Sequence, residues 1–157
     1  MSSALKKKTP AKKQAKDSNK ALRIGIVVSD WNTSITNALF EGAMKALIEN
    51  GVPSTQIYVK RVPGSFELTY GAQQMAEQMK LNAIVCLGCV IQGETRHFEF
   101  ICNAVANGIT NIGIQYKLPV IFGVLTTDTL KQAKARSGGK YGNKGEECAI
   151  AAIQMAH

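Results

Sequence analysis

The segment Gly88-Cys-Val-Ile-Gln-Gly93-Glu94-Thr95 spaces its glycines as a triphosphate-binding loop does, except that Glu94 stands where such a loop carries its lysine. A carboxylate aimed at a triphosphate repels it, which excludes ATP or GTP hydrolysis. The backbone N–H groups and dipole of a helix opening just after this segment still favour an anion, and a single phosphate monoester suits such a site. The same residues also read as an ordinary strand-to-helix turn in which Thr95 caps the helix. His97 lies two residues past Thr95, in the first turn of that helix. A neutral imidazole there could accept or relay a proton near neutral pH; the plainer reading is a surface or half-buried histidine with no catalytic role. The only other histidine is His157.

Arg136 heads the run RSGGKYGNKG, with four glycines and three bases in ten residues. Glycines let backbone approach a ligand closely, and Arg136, Lys140 and Lys144 supply charge for phosphate; for Lys140 a solvated loop is the better account. Trp31-Asn32 follows the first strand and Phe122 lies in the fourth. An aromatic at either place could stack on a flat heterocycle, although filling the core is the commoner role. Cys86-Leu-Gly-Cys89 is a C-x-x-C, but Cys86 sits inside the most apolar strand and the helix begins only after Gly93. Redox pairs sit exposed at a helix start, and a zinc site would need Cys86, Cys89, His97 and Cys102 to converge. All four cysteines, Cys148 included, read as small buried hydrophobes, and no metal is expected.

The elements that must carry these groups alternate along the chain. Arg23–Val28 is a β-branched run, followed by a turn at Ser29–Asp30 and a cap at Asn32 or Thr33. Ile35, Leu39, Ala43, Leu47 and Ile48 then recur at helical spacing until Gly51 and Pro53. Gln56–Val62 is a second strand, and Pro63-Gly64-Ser65 opens a second helix with Glu67 in its first turn. Ala83–Leu87 is a wholly apolar third strand, and Gly88–Gly93 a loop. A helix from about Thr95 sets Phe98, Ile101, Cys102, Val105 and Ile109 on one face. Pro119–Leu125 is the fourth strand, Thr127–Ala135 a helix, Arg136–Gly145 a glycine-rich loop and Glu146–Met155 the last helix. Continuous apolar strands separated by helices predict a four-stranded parallel, doubly wound (flavodoxin-like) sheet in a three-layer α/β/α sandwich, with ligands at the carboxyl ends of the strands.

Charge and composition narrow the class further. The 157 residues carry a net charge of +8, but residues 1–20 hold seven lysines against Asp17, which leaves twelve bases and ten acids in the rest. Residues 1–20 have almost nothing to bury, which predicts a disordered basic tail ahead of one domain at 21–157. A basic tail suggests nucleic acid as a partner, a second property with a steep salt dependence, but the body has no basic, aromatic-interleaved face. The longest apolar run, Ala83 to Ile91, falls far short of the roughly 20 residues that span a bilayer, so no membrane partner is expected. No apolar segment follows the N-terminal charge as a secretory signal requires, and no arginine-rich transit pattern is present. Four cysteines are too few for a disulfide scaffold. A reduced, cytoplasmic protein is expected.

Several motifs stand together in order and spacing across residues 22–155: Trp31-Asn32, Pro63-Gly64-Ser65-Phe66-Glu67, Gly88-x-Val90-Ile91-x-Gly93-x-Thr95-x-His97, Pro119-Val-Ile-Phe122-Gly-Val-Leu-Thr-Thr-Asp128, Arg136 and Gly142-Asn-Lys-Gly145. Each alone is unspecific; the set resembles the 6,7-dimethyl-8-ribityllumazine synthases of riboflavin biosynthesis. The resemblance implies condensation of 5-amino-6-(D-ribitylamino)uracil with 3,4-dihydroxy-2-butanone 4-phosphate, releasing phosphate and water, with no metal or organic cofactor. It implies that Trp31 stacks on the pyrimidine ring and that Val90 and Ile91 line the uracil pocket. Asn32, the Ser65–Phe66 backbone and the Glu67 carboxylate would hold the ribityl chain. Phosphate would be bound by the Glu94–Thr95 backbone, the Thr95 hydroxyl and Arg136. His97 would transfer the proton. Phe122, Arg136 and Lys144 would come from a neighbouring subunit, because such proteins assemble as pentamers and some as shells of twelve pentamers. The Arg136–Gly145 loop carries no extra residues relative to shell-forming relatives, which leans toward the shell. Trp31 replaces a commoner phenylalanine and keeps a stacking face, Ser65 replaces a commoner alanine, and Arg96 adds a charge beside the phosphate site. A flavodoxin-like electron carrier is the rival the fold alone allows, but no motif here requires a bound flavin.

Overall fold

Strands whose residues are apolar or small along their whole length must be covered on both faces. In the computed structural model, which describes residues 13–157, two such strands form the centre of the sheet: β1 (Ile24–Ser29), buried throughout, and β3 (Ala83–Ile91), buried through Cys89. The half-exposed strands β2 (Ile57–Val62) and β4 (Val120–Thr127) flank them, giving an all-parallel order β2-β1-β3-β4. Period-two alternation splits the core in two. Ile24, Ile26 and Val28 pack with α2 (Thr33–Glu49) and α6 (Lys144–Ala156), burying Leu39, Leu47 and Ala149 among others. Val27, Ile84 and Cys86 pack with α3 (Leu68–Gln78) and α4 (His97–Tyr116), burying Leu68, Met75, Val105 and Ile109. This is the three-layer, doubly wound sandwich that the alternating pattern predicts. From β1 the sheet is extended to one side by β2 and to the other by β3 and β4, so the topological switch point lies between the carboxyl ends of β1 and β3.

Thr127, expected to open a helix, instead ends β4, and three larger departures from the sequence expectation follow. β3 runs on to Ile91 instead of ending at Leu87, and Gly88 through Ile91 pair with Val124 through Thr127 of β4. A strand can pass through Gly88 because the space above it is already filled: a Cβ there would lie 2.6 Å from Ser65 Oγ and 2.9 Å from Leu68 Cδ1. The triphosphate-type loop therefore does not form, and only Gln92 to Arg96 separate β3 from α4. The stretch expected as a loop after Arg136 contains a short antiparallel hairpin of β5 (Ser137–Gly139) and β6 (Gly142–Asn143), following α5 (Leu130–Arg136). Asn143 Oδ1 then accepts from Gly145 N at 2.8 Å and Glu146 N at 3.3 Å, so α6 starts at Lys144. Gly145 touches the Leu39 carbonyl of α2, a crossing too close for any side chain.

The third departure is at the N-terminal side. Residues 1–12 of the expected basic tail lie outside the described residues. Residues 13–20, expected to lack structure, instead form α1 (Lys13–Ser18) and enter a 3-10 turn at Asn19–Ala21. Asn19 is buried because its amide closes the end of α2: Nδ2 donates to Asn50 O at 2.7 Å, and Oδ1 lies 2.7 Å from His157 Nε2.

Candidate functional site

Two turns meet at the switch point. The first leaves β1 through Asp30 and Trp31 into α2; the second leaves β2 through Pro63 and Gly64 into a 3-10 turn at Ser65–Glu67. Backbone hydrogen bonds join them, from Asp30 N to Val62 O at 2.8 Å and from Trp31 N to Pro63 O at 3.0 Å. Asn32 occupies the cap position of α2 in a left-handed conformation (φ 58°, ψ 52°), where its side chain makes no capping bond. Nδ2 instead donates to Cys89 O of β3 at 3.1 Å, tying the first turn to the centre of the sheet. A non-glycine residue at positive φ persists only where its surroundings hold it, and such residues cluster at functional sites.

Between the two turns, the end of β3 and the start of α4 lies a cavity of about 790 Å³. Of the residues singled out by sequence, Trp31, Asn32, Ser65, Phe66, Glu67, Val90, Ile91, Thr95 and His97 line it. The size is that of a small-molecule site, and the lining mixes apolar walls with a few polar groups, as such sites do. Trp31 is 70% exposed at the rim. On the other wall Glu67 Oε2 accepts from Gly64 N at 3.0 Å, which fixes the carboxylate against its own turn. His97 is exposed at the first position of α4, and its backbone N donates to Thr95 Oγ1 at a long 3.4 Å. Ser65 Oγ is buried without a hydrogen-bond partner beneath the cavity, and so is Ser29 Oγ at the end of β1.

Sequence reasoning did not single out Gly64, Cys89, Gly93, Phe98 and Ile101 as lining residues, although they complete the wall. Phe98 and Ile101 were visible only as the apolar face of a helix, a pattern that does not separate core from cavity. Cys89 read as a small buried hydrophobe. Burial pushes its thiol up to about 11 and that of Cys86 up to about 12, so neither is a thiolate near neutral pH. The two belong to opposite faces of the sheet, which rules out their acting as a pair.

Glu94, Phe122, Arg136 and Lys144 do not line this cavity. Phe122 sits on the edge strand β4, 36% exposed. Arg136 ends α5, where Nη1 and Nη2 donate to the two carboxylate oxygens of Glu147 at 2.9 and 3.0 Å and Nη1 also reaches the Tyr141 carbonyl. Lys144 Nζ stands 3.7 Å from the same carboxylate. The Arg136 hydrogen bonds hold the Glu147 carboxyl below the ordinary carboxylate range, against an opposing effect of burial, and the charges of Arg136 and Lys144 add to the lowering. Glu147 was not foreseen; its signal was an acid one helical turn after Lys144.

These features define a class: a doubly wound α/β protein with a small-molecule cavity at its topological switch point. Residues 21–157 match the family described as 6,7-dimethyl-8-ribityllumazine synthase. Proteins named 6,7-dimethyl-8-ribityllumazine synthase are similar over most of the chain. One from Parabacteroides distasonis is 52% identical over 136 residues, covering 87% of this chain and 85% of that protein. One from Cytophaga hutchinsonii is 56% identical over 131 residues, covering 83% and 82%. One from Bacteroides fragilis is 52% identical over 134 residues, covering 85% and 94%. The chain belongs to the 6,7-dimethyl-8-ribityllumazine synthase family. The match begins at residue 21 and leaves the lysine-rich segment that suggested nucleic acid outside it.

Proposed function

We propose that the protein condenses 5-amino-6-(D-ribitylamino)uracil with 3,4-dihydroxy-2-butanone 4-phosphate to 6,7-dimethyl-8-ribityllumazine, the product for which its relatives are named. The observation that carries this reading is the switch-point cavity, which puts an aromatic ring, a fixed carboxylate and an imidazole around one space. Trp31 stacks on the pyrimidine, with Val90 and Ile91 against its edge. Asn32, the Ser65–Phe66 backbone and Glu67 take the ribityl hydroxyls. The Glu94–Thr95 backbone and the Thr95 hydroxyl take the phosphate.

The uracil 5-amino group attacks the ketone and a first water leaves as the imine forms. His97 takes the proton whose removal drives phosphate out of the adjacent carbon. Elimination leaves an enol at the carbon that bore the hydroxyl, which tautomerises to a new ketone; the ribityl-bearing nitrogen closes onto that carbonyl, and a second water leaves. Both reactants already carry reactive groups, so most of the acceleration comes from positioning, and no cofactor is needed.

Phe122, Arg136 and Lys144 complete the site from a neighbouring copy. Their position away from the cavity of their own chain supports this, because none of the three lines that cavity. The assembly is a pentamer of shared sites, either on its own or as one of twelve in a shell. Mass photometry separates the two, and a monomer that turns over would end the shared-site reading. The four free cysteines suit a reducing compartment, and we place the protein in the cytoplasm, which cell fractionation tests. For the reaction itself, the two substrates are mixed with protein and lumazine absorbance is followed. The expected rate exceeds that of the protein-free mixture; an equal rate contradicts the assignment.

A further inference from the structure

An arginine on an edge strand ordinarily projects into solvent, yet Arg61, at the carboxyl end of β2, is tied on three sides. Nη1 donates to Asp30 Oδ1 at 2.9 Å and Nη2 to Asn37 Oδ1 at 3.1 Å, while the guanidinium carbon sits 5.6 Å from the centre of the Phe40 ring. Asp30 belongs to the turn after β1; Asn37 and Phe40 belong to the first half of α2. One planar group therefore links the end of β2, the turn and the helix that follows it. A lone exposed ion pair holds little, but a guanidinium with two directional acceptors and a ring is preorganised.

The turn so linked carries Trp31 and the left-handed Asn32. Asn32 is held to the sheet by its bond to Cys89 O, and Trp31 to the neighbouring turn by its bond to Pro63 O. On the flank that faces α2, Thr33 Oγ1 donates to Asp30 O at 2.6 Å, which holds the main chain, and among the described residues Arg61 alone holds the Asp30 carboxylate. Register places Arg61 beside Val28 of β1, whose side chain belongs to the α2 layer, so Arg61 acts from that flank. We propose that Arg61 is a positioning residue for substrate binding: its clamp on Asp30 sets the turn that presents the Trp31 ring to the heterocycle. The inference rests on the stacking role given to Trp31.

Trp31 is the only tryptophan in the chain, so its emission reports on this turn without labelling. In Arg61→Ala and in Asp30→Ala, Trp31 anisotropy should fall and its quenching by acrylamide should rise. KM for the ribitylaminouracil should rise roughly threefold to tenfold while kcat stays within about twofold, the pattern of lost orientation in binding. Arg61→Lys should recover only part of the effect, because a lysine cannot reach both acceptors with a planar fork. The double exchange of Asp30→Arg with Arg61→Asp should recover only the part due to the ion pair, because an aspartate at 61 keeps neither the Asn37 bond nor the Phe40 contact. Should Arg61→Ala fail to fold, Asp30→Ala reads the same quantities. Unchanged anisotropy in the folded variants overturns the clamp. So does a loosened Trp31 with KM unchanged when Trp31→Leu raises KM. If Trp31→Leu itself leaves KM unchanged, the stacking role fails, and with it the part of the clamp that concerns binding; the anisotropy alone then decides whether Arg61 holds the turn.

Discussion

At the scale of single residues, the two groups assigned to chemistry and to phosphate should fail differently. His97→Ala should lower kcat by roughly 100-fold with KM little changed, the low end of what general acid–base catalysis contributes, because positioning supplies the rest. Arg136→Ala should mainly raise KM for the butanone phosphate, by roughly tenfold or more, since a charge-assisted hydrogen bond is worth about 1.5–3 kcal/mol. Steady-state kinetics with each substrate varied in turn separates the two, and a His97→Ala enzyme of native rate removes the catalytic assignment. A stability effect is expected at Ser29, whose hydroxyl is buried without a partner. Ser29→Ala should be neutral or stabilising by up to about 1 kcal/mol, because the folded state no longer buries an unmatched donor; a denaturant midpoint well below the native one contradicts this. Residues such as Trp31, Glu67 and His97 were legible because their types are informative where a strand hands over to a helix. Asn32 was legible only in part: it read as a cap, whereas its side chain bonds across to Cys89, and no local pattern announces a contact made 57 residues away.

Elements were legible where one physical signal dominated. β1 and β3 are continuous apolar runs that nothing but a covered sheet can bury, so the layers and their order of appearance followed directly. Gly88 misled because glycine usually punctuates; here it lets Ser65 and Leu68 sit over the strand, a reason that exists only once Ser65–Glu67 has folded onto β3. The hairpin of β5 and β6 was hidden in a glycine-rich run for the same reason, since such a run does not show which residues it will pack against. The crossing of α2 and α6 is the most sensitive element contact. Gly145→Ala would drive a methyl into the Leu39 carbonyl, so it should destabilise by about 1–3 kcal/mol as overpacking does. Urea unfolding measures this, and a midpoint equal to the native one would show that the helices can separate without penalty.

Over the whole molecule, charge matters locally. The net charge of +8 resides mostly in residues 1–20, while in the body Arg136 and Lys144 share Glu147. Because Glu147 titrates below the ordinary carboxylate range in the folded protein, its contribution to stability is complete above the unfolded value of about 4.3 and is lost as pH falls through the folded one. The melting-temperature gap between the native protein and Glu147→Gln should therefore stay constant from neutral pH down to about 5 and close only in stronger acid. A gap that closes near neutrality would mean that some other group controls the pair. The central claim is that the switch-point cavity joins the two substrates, and the most direct test follows lumazine fluorescence and inorganic phosphate together in one reaction. Equal amounts of both, appearing in step and faster than without protein, are predicted. Phosphate released without lumazine, or lumazine formed no faster than in the protein-free mixture, would contradict it.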